Sequence, residues 1–174
     1  MTVRQAIAAD AGAICAILNP MIRNSTITFT TRERDPDEVA ADIRARGPAF
    51  LVAESAGVVR GFASFGPFRA GPGYVRTAEH SIHLASGARG QGMGRALIAA
   101  LQQAAIAQGI HVLVAAISGG NAAAIAFHDA VGFERVGHMP QVGFKAGELL
   151  DLVLMQKILC PRPDGAPDTA AQPG

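Results

Sequence analysis

Residues 77–95 read TAEHSIHLASGARGQGMGR, and the fold turns on this stretch. Thr77 to Leu84 predicts a strand, and Gly87 to Gly94 predicts a glycine-rich turn. An alanine-rich helix follows from Arg95 to Gln108, with Leu97, Ile98, Leu101 and Ala105 inward and Gly109 closing it. Glycines in such a turn let the main chain bend tightly and approach a ligand with no Cβ in the way. The free amides at the helix start converge on one point and carry roughly half a positive charge. Arg89 and Arg95 add two cations at that same end. On a bare helix each cation there costs about 0.3–1 kcal/mol, and a bound polyanion reverses the sign. The turn therefore calls for a phosphate-rich ligand; an unliganded glycine connection is the competing reading. A Walker A loop is excluded because Met93, not Lys, follows Gly92. A dinucleotide fingerprint is excluded by glycines at 90, 92 and 94 and by the lack of an acid from Gly109 to Ala116.

Outward from this stretch the chain reads as mixed α/β. Towards the N-terminus, Val3 to Ala6 predicts a strand. Asp10 is placed to cap a helix whose Ile14, Ile17 and Leu18 share a face. Pro20 to Thr31 reads as irregular. Asp35, Pro36 and Glu38 form a helix-start signal with a capping box, Val39 and Ile43 are its buried positions, and Gly47-Pro48 ends it. Ala49 to Ala53 and Val58 to Phe65 predict a hairpin around Ser55-Ala56-Gly57, followed by a loop from Gly66 to Gly73. Towards the C-terminus, His111 to Ile117 reads as a strand covered on both faces. Asn121 caps a helix that stops at Gly132, and two strands near Phe133 to His138 and Leu149 to Lys157 complete the domain. Residues 1–159 are expected to form one domain, and 160–174, rich in Pro, Gly and Ala, a disordered tail.

The 174-residue chain has Lys+Arg 15 against Asp+Glu 14, which provides no electrostatic footprint for nucleic acid. No apolar run approaches the ~18 residues of a membrane span, and no secretory leader is visible, so a cytoplasmic protein is expected. Cys15 and Cys160 are too few for a disulfide framework or a thiolate metal site, and no metal is expected.

Arg89-Gly90-Gln91-Gly92-Met93-Gly94 resembles the Gln/Arg-x-x-Gly-x-Gly/Ala signature of the GNAT acyltransferase superfamily. Ser64 to Arg69, Gly73-Tyr74, Glu79-His80-Ser81, Asn121-Ala122-Ala123 with His128, Gly132-Phe133 and Leu150 to Gln156 are similar to its phosphinothricin and methionine-sulfone acetyltransferase branch. The resemblance implies a GNAT fold: a central twisted, mostly antiparallel sheet with splayed middle strands, flanked by helices. It implies acetyl-CoA as cosubstrate. Backbone groups of Ile82, His83 and Leu84 would hold the pantetheine arm. Amides from Gly90, Gln91, Gly92, Met93, Gly94 and Arg95, with Arg89 beside them, would hold the pyrophosphate. Asn121 would reach the pantetheine, although Asn at that position is also an ordinary N-cap.

Acetyl transfer needs a neutral amine, and an α-amine has a pKa of about 8, so a base helps at pH 7. Glu79 is the candidate, on the strand face it shares with Ser81 and His83. A solvated or ion-paired carboxylate is the alternative. His80 is expected to be a hydrogen-bonded core histidine, and His128 to pack or cap. The tyrosine that many superfamily members place near the thioester has no counterpart here, since Phe127 or His128 occupies that position, so the general acid is unassigned. Arg69, in the Phe68–Gly71 loop, matches the family's arginine for an acceptor carboxylate; Arg76 and Lys145 are weaker candidates. Phe29 and Tyr74 would wall the pocket. Glu148-Leu149 replaces the family's Arg-Trp, and Ile27-Thr28-Phe29 replaces Ala-Thr-Phe, so the pocket is expected to differ. The implied activity is acetylation of the α-amine of a small amino acid analogue, by direct attack, in a homodimer. A protein N-terminus, an aminoglycoside, a non-catalytic acetyl-CoA sensor and a nucleotide-binding regulator are the rival readings.

Overall fold

Seven strands form one sheet in the order β1-β2-β3-β4-β5-β7-β6 in the computed structural model, which describes residues 1–159. The expected tail, residues 160–174, lies outside the described residues. In chain order the elements are β1 (Thr2–Gln5), α1 (Ala11–Asn24), α2 (Pro36–Arg46), β2 (Phe50–Ser55), β3 (Val58–Pro67), β4 (Thr77–Leu84), α3 (Met93–Ala107), β5 (Val112–Ser118), α4 (Ala122–Ala130), β6 (Glu134–Lys145) and β7 (Glu148–Ile158). Every neighbouring pair is antiparallel except β4 and β5.

Strand alternation sorts the apolar side chains into two cores. Phe50, Val52 and Phe62 face α1 and α2, where they meet Ile14, Ile17, Val39 and Ile43. Leu51, Ala53, Ala63, Phe65, Leu113, Ala115 and Met155 face the other way and pack on Leu97, Ile98 and Leu101 of α3. The result is three layers, with the sheet between two pairs of helices. No helix of the described residues is long and apolar enough to cross a membrane.

Several local readings change. α1 runs through Pro20 to Asn24, where an irregular segment is expected. An interior proline costs about 3 kcal/mol. Burying Ile22 in the last turn returns about 1.5–3 kcal/mol, and Asn19 clamps the main chain of Arg34 from the same helix. Asp10 does not cap α1 through its side chain; it accepts from Ile7 N–H and pairs with Arg4 at 2.8 Å. Asp35 does cap α2, accepting from Asp37 N–H, but Glu38 turns to Arg32 and Arg34 instead of closing a capping box. α3 begins at Met93, two residues early. β6 extends to Lys145, far beyond His138, because β7 pairs with it across two register shifts.

Candidate active site

Between the two central strands the ladder stops halfway. β4 and β5 pair only from Thr77↔Val112 to His80↔Ala115. Beyond that, Ser81–Leu84 and Ala116–Ser118 diverge. Each keeps its outer neighbour: β4 stays paired with β3 through Leu84↔Gly61, and β5 with β7 through Ser118↔Leu152. The inner main-chain edges therefore face a gap with no strand between them, a template for an extended amide-bearing ligand. A cleft of about 630 Å³ occupies this gap.

One end of the cleft is built for an anion. Gly90 and Gly92 both take φ +76°, a left-handed conformation that side chains resist, and Gly92 is the N-cap of α3. The first intrahelical bond runs from Ala96 N–H to Gly92 O, so the amides of Met93, Gly94 and Arg95 precede the helix ladder. Gly94 packs tightly as well: a Cβ there would lie 3.1 Å from the Phe127 ring. Arg89, Gly90, Gly92, Gly94 and Arg95 line the cleft. Gln91 and Met93 do not. Gln91 donates its side-chain amide to Gly87 O at 2.9 Å, and the Met93 side chain is buried in the core, leaving only main-chain groups for a ligand. Arg95 also donates to Ala130 O, at the C-terminal end of α4, which offsets its unfavourable place in the first turn of α3.

The middle of the cleft carries Ile82, His83 and Leu84, as the resemblance implies, with Ala116 to Ser118 opposite. Asn121 caps a helix and also borders the cleft. Its Oδ1 accepts from Ala124 N–H at 3.2 Å as the N-cap of α4, and the residue also lines the cleft.

At the other end stands Glu79, exposed to the cleft, with its pKa raised by partial burial. It lies on the face of Ser81, whose Oγ is 3.5 Å from that of Ser64. Ile27, Thr28 and Phe29 line this end. Arg69, Gly71 and Tyr74 do not line the cleft. They lie in the exposed loop between β3 and β4, where Arg69 stacks 5.3 Å over Phe68 and Phe68 meets Tyr74 edge-on. That loop leaves the sheet at Pro67↔Ala78, one residue before Glu79, and so flanks the cleft mouth. Arg76 is committed to Gly109 O, and Lys145 is buried against Thr28 O. Arg76 nonetheless stays exposed at the surface, and only Lys145 is withdrawn from solvent.

His128 packs in the core as expected, whereas His80 departs further from expectation. His80 is a core residue, 6 % exposed, but neither ring nitrogen has a partner among the described residues. It packs on His128 and Phe133, and burial together with its histidine neighbours lowers its pKa to about 3. His128 lies 2.7 Å through Nδ1 from Ala124 O. A carbonyl only accepts, so Nδ1 carries the proton and the unpartnered Nε2 is an acceptor. Both rings line the cleft, so the floor beneath the gap is polar yet uncharged. The sequence offers no local signal for this, nor for Arg46, whose guanidinium lies over Gly66, the register partner of Glu79.

A model of the acetyltransferase (GNAT) family matches residues 19–133. The chain belongs to this family. The L-methionine sulfoximine/L-methionine sulfone acetyltransferase of Pseudomonas aeruginosa is 43 % identical over 164 residues, covering 92 % of this chain and 95 % of that protein. A Salmonella typhimurium acetyltransferase structure with its cofactor acetyl-CoA superposes with TM-score 0.89 at 40 % identity, covering 98 % and 99 % of the two chains. A GNAT phosphinothricin acetyltransferase from Sinorhizobium meliloti, in complex with acetyl-CoA, gives TM-score 0.87 at 33 % identity, over 99 % and 95 %. This GNAT chain thus has the mostly antiparallel, centrally splayed sheet that the resemblance implies.

Proposed function

We propose that this enzyme transfers the acetyl group of acetyl-CoA to the α-amine of a small amino acid of the methionine sulfone, methionine sulfoximine or phosphinothricin type. The observation that carries the reading is the β4–β5 gap, with a helix start whose first amides are free at one end and the Glu79 carboxylate at the other. The names of the relatives support the acceptor class.

The residues divide the work by chemistry. Amides at the start of α3, with Arg89 and Arg95, neutralise the pyrophosphate, and the inner edge of Ser81–Leu84 pairs with the pantetheine amides. Glu79 accepts a proton from the acceptor's ammonium, and its raised pKa makes it a better base than an exposed glutamate. The freed lone pair attacks the thioester carbonyl, the C–N bond forms, and the C–S bond breaks. The nitrogen sheds its second proton on becoming an amide, and that proton passes through water to the departing thiolate, whose thiol-like pKa is about 8.5. No donor is assigned to His128, whose Nε2 accepts in the resting tautomer. Arg69 grips the acceptor carboxylate from the cleft mouth, a guanidinium being suited to two parallel bonds.

We place the enzyme in the cytoplasm as a homodimer. The β6–β7 hairpin supports the second point: Val136, Met139, Val142, Phe144 and Leu149 are all exposed there, with Phe144 at 67 %. Steady-state thiol release with acetyl-CoA and methionine sulfone or phosphinothricin tests the activity. Saturation in both substrates is expected. Thiol release no faster than with acetyl-CoA alone, across a panel of amino acids, overturns the reading and favours an acetyl-CoA sensor.

A further inference from the structure

The acceptor end of the cleft is walled by Ile27, Thr28 and Phe29, which belong to neither a helix nor a strand. Such a segment has no ladder of its own to fix it, so its position is set by whatever touches it from outside. Two contacts come from one place, the tip of the β6–β7 hairpin. Lys145, 7 % exposed, donates from Nζ to Thr28 O at 2.7 Å across 117 residues of sequence. Two residues earlier on the same strand face, Gly143 lies against the Phe29 ring so closely that a Cβ there would sit 2.5 Å from it. Among the described residues, no other hydrogen bond ties 26–29 to the rest of the molecule, and no carboxylate lies within 4 Å of Lys145 Nζ.

These features are hard to explain as stability alone. A buried ammonium with one carbonyl partner is costly to desolvate, and an apolar side chain of the same length would fill the space without that penalty. What the ammonium gives is a directional bond to a segment that has none. What Gly143 gives is a flat bed that lets a phenyl ring lie back against the sheet and leave the cleft open.

We propose that Lys145 and Gly143 are positioning residues that hold the Ile27–Phe29 wall and thereby set the fit of the acceptor side chain. The proposal rests on the reading of this end as the acceptor site. Lys145 acts through Thr28, and Gly143 through Phe29; neither lines the cleft. Substitution at either should disturb acceptor binding and spare acetyl-CoA, whose predicted contacts lie on β4, α3 and α4.

The test uses Lys145→Met, which keeps the stem and removes the donor, Lys145→Arg, which keeps a donor and the charge, and Gly143→Ala, which displaces Phe29. Amide hydrogen exchange is followed over residues 25–32, and KM is measured for methionine sulfone and for acetyl-CoA. Lys145→Met should speed exchange over 25–32 at least tenfold and raise the acceptor KM about tenfold, with the acetyl-CoA KM within twofold of the parent. Lys145→Arg should recover most of both. Gly143→Ala should raise the acceptor KM while the exchange at Thr28 changes little, because its tether remains, and it carries the test if Lys145→Met does not fold. Unchanged exchange over 25–32 in Lys145→Met, or equal rises in both KM values in either variant, overturns the proposal. A parent enzyme that acetylates no amino acid would sink the functional reading instead, and the exchange data would still decide whether Lys145 tethers the wall.

Discussion

Acidification should destabilise this protein through His80, and the size of the effect follows from the site. In the unfolded chain a histidine has a pKa of about 6.5, whereas burial and the neighbouring His128 and His83 lower that of His80 to about 3. The folded value is depressed, so between these limits the unfolded state binds a proton that the folded state does not. Stability is whole above pH 6.5 and is lost as pH falls towards 3. At 1.36 kcal/mol per unit, lowering the pH from 7 to 5 costs about 2 kcal/mol from this residue alone. With a urea slope of about 2 kcal/mol/M, that is a fall of about 1 M in the midpoint. His80→Leu, close in volume, removes the titration and the two unpartnered ring nitrogens together. Urea denaturation of both proteins at pH 7 and pH 5 is the assay. The variant should be at least as stable as the parent at pH 7, since a buried unsatisfied polar group costs about 1–3 kcal/mol. Its midpoint should fall less than the parent's at pH 5, by about 1 M. Equal falls in the two proteins, or an NMR titration of His80 with a midpoint above pH 5, would refute the reasoning.

The remaining predictions concern the cleft. Glu79→Gln should lower kcat/KM about 10²–10⁴-fold at pH 7, the usual worth of a general base, and leave acetyl-CoA affinity intact. The neutral fraction of an amine with a pKa of about 8 rises roughly tenfold from pH 7 to pH 9, so the deficit should shrink by about that factor; a pH-independent deficit would remove Glu79 from proton transfer. Gly92→Ala forces a side chain onto φ +76° at the start of α3. It should cost about 1–2 kcal/mol of stability and weaken acetyl-CoA binding in calorimetry, whereas unchanged affinity would place the pyrophosphate elsewhere. Arg69→Ala should raise the acceptor KM well above any change for acetyl-CoA, and parallel effects on both would contradict a carboxylate contact.

How much of this was legible beforehand depends on how local each feature is. β4 is bounded at Thr77 and Leu84, as its alternation indicates, and the glycine turn leads directly into α3. Strand, turn and helix start are contiguous in sequence, so the anion end of the cleft is written in one stretch of 19 residues. The register that ends the β4–β5 pairing at His80 is another matter, because it involves strands separated by a whole helix. Alternation correctly assigns His80 and Glu79 to opposite faces. It says nothing of His128 packing on His80, nor of the lack of hydrogen-bond partners at His80 among the described residues.

The acceptor end is the least legible part, and its construction explains why. It is assembled from a segment near residue 28, one carboxylate on β4 and the tip of a hairpin near residue 145. The expected strand stops near His138; only pairing with β7, through bulges, carries β6 on to Lys145 and so to Thr28. Lys145 looks like a surface charge for the same reason. The two ends of the cleft thus differ in kind. The glycine turn is one contiguous motif, whereas the proposed acceptor end is made of pieces that tertiary structure alone brings together. Glu148-Leu149 and Ile27-Thr28-Phe29, where this sequence departs from its family's pattern, fall on those pieces and not on the motif. Changes there can alter which amino acid fits without touching the phosphate-binding turn, and the selectivity of this enzyme should be sought in the hairpin tip and the segment it holds.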